Sequence, residues 1–300
     1  MTKNNKTLQL FGGGWTEEKL AILRDYLHAY NTALKNKPFT RIYVDAFAGT
    51  GYRAQRQTQF QVPDLFDEAS DCESQELLKG STKLALEAEP SFHRFVFVET
   101  DKAKIKELEA LKAQHPDKAD QIDIIRADAN EFLQDYCAKR DWRRHRAVLF
   151  LDPFATEVVW TTVEAVARTR AMDVWILFPL MAVNRLLAKD ARKSFRKRLD
   201  AIFGTPEWFE RFYRTTRDED IFGQPLETVR KACDFKGIGD FYAERLRKAF
   251  AGVAAESLVW DNSRGSPLFQ FFFAAGNEKG APIAVRIADY ILSKKGRKWA

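Results

Sequence analysis

Four hydrophobic runs in the sequence each end in an acidic residue, and these four residues are the first candidates for chemistry. They are Asp45, Glu99, Asp128 and Asp152. If the runs are parallel strands, their carboxyl ends meet at one edge of a sheet, where open α/β folds bind ligands. There, Glu99 could accept hydrogen bonds from both hydroxyls of a ribose, and Asp128 from an adenine amino group. Each acid could instead be a helix N-cap, the role we predict for Asp101.

A glycine-containing turn follows the first run, where residues 47–51 read FAGTG. Gly49 and Gly51 carry no side chain, so the backbone can turn tightly and approach a ligand closely. A pyrophosphate-binding loop has a third glycine and opens directly into a helix, whereas a long polar stretch, residues 52–80, follows here. The pattern disfavours nucleotide-linked redox chemistry and favours S-adenosylmethionine, which has no phosphates. The predicted cofactor-binding residues at the strand ends are Asp45, Phe47, Ala48, Gly49, Gly51, Glu99, Thr100, Asp128 and Ala129.

The tripeptide Asp152-Pro153-Phe154 interrupts the fourth run and is the predicted catalytic segment. Methyltransferases that act on the amino groups of bases have a similar tetrapeptide, Asp/Asn-Pro-Pro-aromatic, at this place. There the acid orients the target amine and the aromatic ring stacks on the base. Asp152 and Phe154 could play these parts, although the missing second proline loosens the backbone constraint. The alternative is that Asp152 caps the following helix and Phe154 packs in the core.

The N-terminal segment offers two further candidates, Trp15 and Lys19, which follow three glycines. Some adenine-specific enzymes place a Trp and a Lys from such a segment against the methionine part of the cofactor. Lys19 could then pair with the cofactor's carboxylate, and a helix N-terminus there would favour that charge. The alternative is a glycine hinge and a solvated lysine.

A basic stretch follows the fifth hydrophobic run and would therefore lie on the cofactor side of the sheet. It could track the phosphates of a nucleic acid beside the active site. The alternative is a solvated helix face. The predicted substrate-binding residues of this stretch are Arg185, Lys189, Arg192, Lys193 and Arg196.

Short hydrophobic strands alternate with amphipathic helices through the first 180 residues, which predicts a parallel, doubly wound α/β sheet of Rossmann type. After Pro179 the pattern changes, and we expect residues 183–250 to form a helical insertion that recognises a substrate or partner. Strand patterns return at 257–260 and 268–274, as expected of a methyltransferase sheet with an antiparallel last strand. The predicted methyltransferase-like domain is thus 1–182 together with 251–300.

Composition limits the classes of function. The chain of 300 residues is 45% hydrophobic and 30% charged, with a net charge of +6 that favours a polyanionic partner. The three cysteines and four histidines are scattered, so we expect no metal site. We see no secretory signal and no membrane-spanning run, and expect a cytoplasmic protein.

Eight segments carry a resemblance to one family. In order they read GGGWTEEKL, YVDAFAGTG, FVETD, RADAN, FLDPFATEVVW, MDVWILFPL, FGTPEW and PLFQFFFAAGN. Across nearly the whole chain the sequence resembles the three-Cys-motif partner proteins. The resemblance implies a class I methyltransferase-like fold, S-adenosylmethionine as cofactor, and a neighbouring radical-S-adenosylmethionine-like protein with a three-cysteine motif as partner.

Together these features predict an S-adenosylmethionine-dependent methyltransferase acting on nucleic acid, with a base amino group as one acceptor. The alternative is an accessory protein that keeps the cofactor pocket and works with the three-Cys-motif protein.

Overall fold

Five buried hydrophobic segments form the parallel part of the central sheet. The computed structural model describes residues 15–48, 80–153, 156–189, 195–219, 225–262 and 264–295. The strands are β1 (Thr40–Asp45), β2 (Arg94–Glu99), β3 (Ile122–Arg126), β4 (His145–Leu151) and β5 (Met172–Phe178). They pair in parallel in the order β3-β2-β1-β4-β5, so the order reverses between β1 and β4. The carboxyl ends beside that reversal form the ligand-binding edge of open α/β sheets.

Three later strands complete the sheet. They are β8 (Gly252–Val253), β9 (Leu258–Asp261) and β10 (Pro267–Ala275). β10 runs antiparallel to β5 and also pairs with β8 and β9. A mostly parallel sheet with one antiparallel late strand is the arrangement of Rossmann-like methyltransferases, so the predicted fold class is confirmed.

Helices cover both faces of the sheet, because the strands bury side chains on both sides. In β4, Leu149 and Leu151 belong to one hydrophobic cluster, whereas Val148 and Phe150 belong to the other. On the Phe150 side lie α1 (Trp15–Leu34), α2 (residues 80–86 of the described chain), α3 (Lys102–Ala113) and α10 (Ala281–Ser293). On the Leu149 side lie α4 (Ala129–Lys139), α5 (Trp160–Arg168), α6 (Leu180–Leu186), α7 (Arg196–Phe203), α8 (Trp208–Phe212) and α9 (Phe235–Ala249).

The insertion, residues 183–250, differs from its prediction. Residues 213–231 contain two antiparallel strands, β6 (Tyr213–Glu219) and β7 (Pro225–Lys231), so the expectation of an all-helical insertion is wrong. The threonines of this segment favour the strand conformation, and the buried Tyr213 anchors the ribbon at its base. The helical part of the insertion shares the core of the sheet: Tyr242 of α9 stacks on Phe178 of β5 with ring centroids 4.1 Å apart.

The described residues lack two features. None of their helices combines the length and apolar character needed to cross a bilayer. Nor do these residues contain a group of three or more His, Cys, Asp or Glu side chains placed to hold a metal ion.

Candidate active site at the carboxyl edge of the sheet

The candidate residues from β1, β2 and β4 meet because these three strands are neighbours in the sheet. Asp45, the last residue of β1, is in register with Phe97 of β2 and Phe150 of β4. The turn that follows is fixed to both neighbours: the amide of Ala48 donates to the carbonyl of Val98 at 2.9 Å, and that of Ala46 to Phe150 at 3.3 Å. Gly49 and Gly51, predicted for the same turn, lie outside the described residues.

A buried ion pair joins α1 to the fourth strand end. The ammonium Nζ of Lys19 lies 2.8 Å from Oδ2 of Asp152, and the two side chains are only 1% and 11% exposed. The ammonium also lies 5.1 Å from the ring centroid of Trp15. The solvated-lysine alternative is therefore wrong. Lys19 holds the predicted catalytic acid, and its contact with the cofactor's carboxylate stays a prediction.

Trp15 is held by aromatic neighbours from the last strands. Its ring lies 6.1 Å from that of Trp260 in β9 and 5.7 Å from that of Phe269 in β10. The indole N–H of Trp260 donates to Glu18 at 2.8 Å, which fixes this end of α1 against the sheet. The start of α1 is thus a wall of the candidate site.

Asp45 is fully buried and held by three donors. The hydroxyl of Ser81 donates to Oδ2 at 2.8 Å, the amide of Phe47 to Oδ1 at 3.3 Å, and the hydroxyl of Tyr43 to Oδ2 at 3.5 Å. Burial raises the pKa of Asp45 to about 7, the Ser81 hydrogen bond lowers it, and the charge of Asp152 raises it further. Ser81 and Tyr43 were not among the predicted site residues. Ser81 is 36 residues from Asp45 in the chain, and the periodicity of the sequence does not show contacts over such a separation.

Glu99 has one oxygen fixed by the backbone that follows it. Its Oε1 accepts from the amides of Thr100 at 2.6 Å and Asp101 at 2.7 Å, and from the Thr100 hydroxyl at 3.2 Å. The side chain is buried, so its orientation is set before any ligand binds. Within the described chain these bonds all use Oε1, and Oε2 could accept from a ribose hydroxyl.

Asp128 and Asp101 are helix N-caps. Asp128 accepts from the amides of Asn130 at 2.9 Å and Glu131 at 3.2 Å, at the start of α4, and Ala129 is buried beneath it. Asp101 caps α3 in the same way, as predicted. The capping bonds of Asp128 end on Oδ1, so its cap role does not conflict with accepting from a ligand amine through Oδ2.

Asp152 does not cap the following helix. α5 begins at Trp160, and its N-cap, Val159, makes no side-chain capping bond, so the capping alternative is wrong. Pro153 is buried, and Phe154 lies outside the described residues. The loop beyond is fixed by the insertion: Arg198 donates to the carbonyl of Thr156 and, at 3.1 Å, to its hydroxyl. Burial lowers the pKa of Arg198.

The predicted substrate-binding stretch is not one helix face. α6 ends at Leu186 and α7 begins at Arg196. Arg185 and Lys189 are exposed, and Arg196 is exposed with its guanidinium carbon 3.9 Å from the ring centroid of Phe209. Arg192 and Lys193 fall outside the described chain. The described members therefore lie on two helices and the segment after α6.

Comparison with known proteins adds a fold likeness. No family model and no curated protein matches the chain. A Legionella pneumophila structure is 13% identical with a TM-score of 0.48, covering 91% of this chain and 89% of its own. The proposed Escherichia coli methyltransferase yhhF is 13% identical with a TM-score of 0.28 over 69% and 86% of the two chains. A proposed Haemophilus influenzae methylase is 14% identical with a TM-score of 0.29 over 75% and 99%. Likenesses this distant carry no argument about function.

Proposed function

We propose that this protein is an S-adenosylmethionine-dependent methyltransferase that acts on an amino group of a nucleic-acid base. The observation that carries the proposal is the buried Lys19–Asp152 pair at the carboxyl edge of the sheet. A buried ion pair is a poor source of stability compared with apolar packing. Its position at the fourth strand end, beside Asp45, is better explained by chemistry.

The residues at the neighbouring strand ends fit the proposed cofactor. Glu99 would accept from the ribose through Oε2, because its Oε1 is already held by the backbone. Asp128 would accept from the adenine amino group, and Trp15 and the turn after β1 would line the methionine part. When bound, S-adenosylmethionine would supply the methyl group: the C–N bond forms as the S–C bond breaks, S-adenosylhomocysteine leaves, and the methylated amine loses its proton to water.

Asp152 would act by orientation. Its carboxylate accepts a hydrogen bond from the acceptor amine, which turns the nitrogen lone pair towards the methyl group. Lys19 donates to Oδ2 and so fixes the carboxylate plane, which makes Lys19 a positioning residue. Phe154 is proposed to stack on the base, and the exposed Arg185, Lys189 and Arg196 to contact phosphates.

Two measurements test this function. Calorimetry should show binding of S-adenosylmethionine, and no binding would contradict the cofactor proposal. Transfer of a labelled methyl group to total DNA and RNA should fall by about 100-fold or more in Asp152→Ala, because a misplaced acceptor loses its alignment. Asp135→Ala, an exposed carboxylate on α4, is the matched control and should keep full transfer.

A second candidate is an accessory S-adenosylmethionine-binding protein that works with a three-Cys-motif protein. Two observations favour it: the motif lacks the second proline, and Oδ2 of Asp152 already has a partner in Lys19. If no methyl transfer occurs but the three-Cys-motif protein co-purifies with the chain, the accessory function replaces the catalytic one.

A further inference from the structure

The two-stranded ribbon β6–β7 carries two arginines directly opposite each other. In its antiparallel register Arg214 faces Arg230, and Thr216 faces Thr228. Like charges opposite each other destabilise an antiparallel pair. The guanidinium group of Arg214 donates to the carbonyls of Glu210 and Tyr213 at 3.1 and 3.3 Å. A bound anion would offset the repulsion between the two arginine charges.

The arginines lie on the solvent face of the ribbon. Residues on one face alternate, so Arg214, Thr216, Thr228 and Arg230 share a face. Arg214, Thr216 and Arg230 are exposed, and the hydroxyl oxygens of Thr216 and Thr228 are 2.7 Å apart. The opposite face turns inwards at its base, where Tyr213 is 3% exposed. The outer face thus carries a hydroxyl pair two residues along the ribbon from the two arginines.

The base of the ribbon is fixed to the segment after α6. The hydroxyl of Tyr213 donates to the carbonyl of Ala188 at 2.7 Å. The amide of Lys231 donates to the carbonyl of Lys189 at 3.1 Å. These bonds keep the ribbon beside the exposed Arg185 and Lys189. The same insertion contacts the loop after Asp152 through Arg198. The arginine face therefore belongs to the unit that borders the candidate active site.

We propose that this face binds duplex DNA, with the ribbon in the major groove and Arg214 and Arg230 on phosphates. The major groove of B-form DNA admits a two-stranded β-ribbon, whereas that of A-form RNA is deep and narrow. Threonine hydroxyls contact phosphates and base edges in such interfaces. The inference rests on the proposed function, since DNA would be the methylated polymer, but the binding itself requires no cofactor.

The test is fluorescence anisotropy on labelled duplex DNA, duplex RNA of the same sequence and single-stranded DNA, over a range of salt. Duplex DNA should bind most tightly. The double variant Arg214→Glu with Arg230→Glu should weaken that binding at least about tenfold and reduce the log–log salt slope by about 2, one for each lost phosphate contact. The matched control, Lys139→Glu with Arg143→Glu, makes the same charge change at the opposite edge of the sheet and should keep the affinity.

A single variant separates binding from folding. Arg230→Glu places a carboxylate opposite Arg214, so the ribbon should be no less stable and the melting temperature should not fall. Its affinity for duplex DNA should still drop severalfold.

Several results would overturn the proposal. These are equal losses in the two double variants, equal affinity for duplex RNA or single strands, or arginine-dependent binding of polyglutamate in place of DNA, which would indicate an acidic protein partner. Calorimetry with S-adenosylmethionine runs in parallel. Cofactor binding without DNA binding contradicts this inference alone, and DNA binding without cofactor binding contradicts the proposed function alone.

Discussion

The same helix, α1, makes a buried contact with an aspartate at each edge of the sheet, and the two contacts differ in kind. At the carboxyl edge Lys19 pairs with Asp152 at 2.8 Å. At the amino edge the hydroxyl of Tyr26 donates to Asp173 at 2.7 Å. The spacing along the helix is close to the spacing along the sheet. The seven residues from Lys19 to Tyr26 span about 10 Å of helix. Asp173 pairs with Val148 of β4, four residues before Asp152 and about 13 Å along the strand.

The two contacts differ in the charge of the group that donates to the aspartate. Asp152 faces the ammonium group of Lys19, an arrangement that would suit its proposed role. Asp173 has an uncharged donor, and burial raises its pKa to about 6, partly offset by the hydrogen bonds from Tyr26 and the Gly276 amide. One end of α1 thus carries the ion pair of the proposed active site, while the other holds the helix on the sheet through a hydrogen bond.

The largest expected effect comes from breaking the ion pair. Lys19→Met should lower the free energy of unfolding by about 3–5 kcal/mol, because Asp152 would be left buried without its partner, and should also abolish methyl transfer. Urea denaturation and the transfer assay measure the two effects. Adding Asp152→Ala to Lys19→Met removes both the buried charge and the acceptor oxygen, so it should recover much of the stability but none of the activity. An unchanged stability in Lys19→Met would contradict the view of Lys19 as the partner that compensates a buried charge.

A smaller effect is expected at the amino edge. Tyr26→Phe removes one hydrogen bond to a buried carboxyl group and should cost about 1–3 kcal/mol. Binding of S-adenosylmethionine should be unchanged, because Asp173 lies at the other end of the strands. Urea denaturation and calorimetry check this, with the exposed Tyr290→Phe as control. A weakened cofactor affinity would show that the two edges are not independent.

The pH dependence of stability should sharpen the comparison further. A carboxyl group with a raised pKa binds more protons in the folded state. The contribution of Asp173 to stability is therefore complete below 3.8, the usual pKa of an aspartate, and is lost as the pH rises through about 6. Asp173→Asn should reduce the decrease in the free energy of unfolding over this pH range by about 2–3 kcal/mol. Unfolding followed from pH 4 to pH 7 measures it. Asp123→Asn, at a surface ion pair, should leave the curve unchanged.

Much of the site could be predicted because strand ends are visible in a sequence. The buried runs that end at Asp45, Glu99 and Asp152 must converge once the strands are parallel. The partner of Asp152 could not be predicted, since Lys19 is 133 residues away in the chain and an amphipathic helix does not show which strand it covers. The same holds for Tyr26 and Asp173.

The ribbon was missed for a different reason. Residues 213–219 read YRTTRDE and lack the alternation of apolar and polar residues that marks a half-buried strand. Both strands gain their structure from pairing with each other and from the anchor at Tyr213. Neither contact can be inferred from the local sequence pattern.

The late position of β10 in the chain has a consequence for biosynthesis. β10 begins at Pro267 yet pairs along the whole of β5, whose residues Trp175 and Leu177 are fully covered in the finished sheet. While the chain leaves the ribosome, β5 therefore presents an unpaired hydrophobic edge until β10 has emerged. Such an edge is a site for misassembly, so we expect expression to be sensitive to chaperone supply.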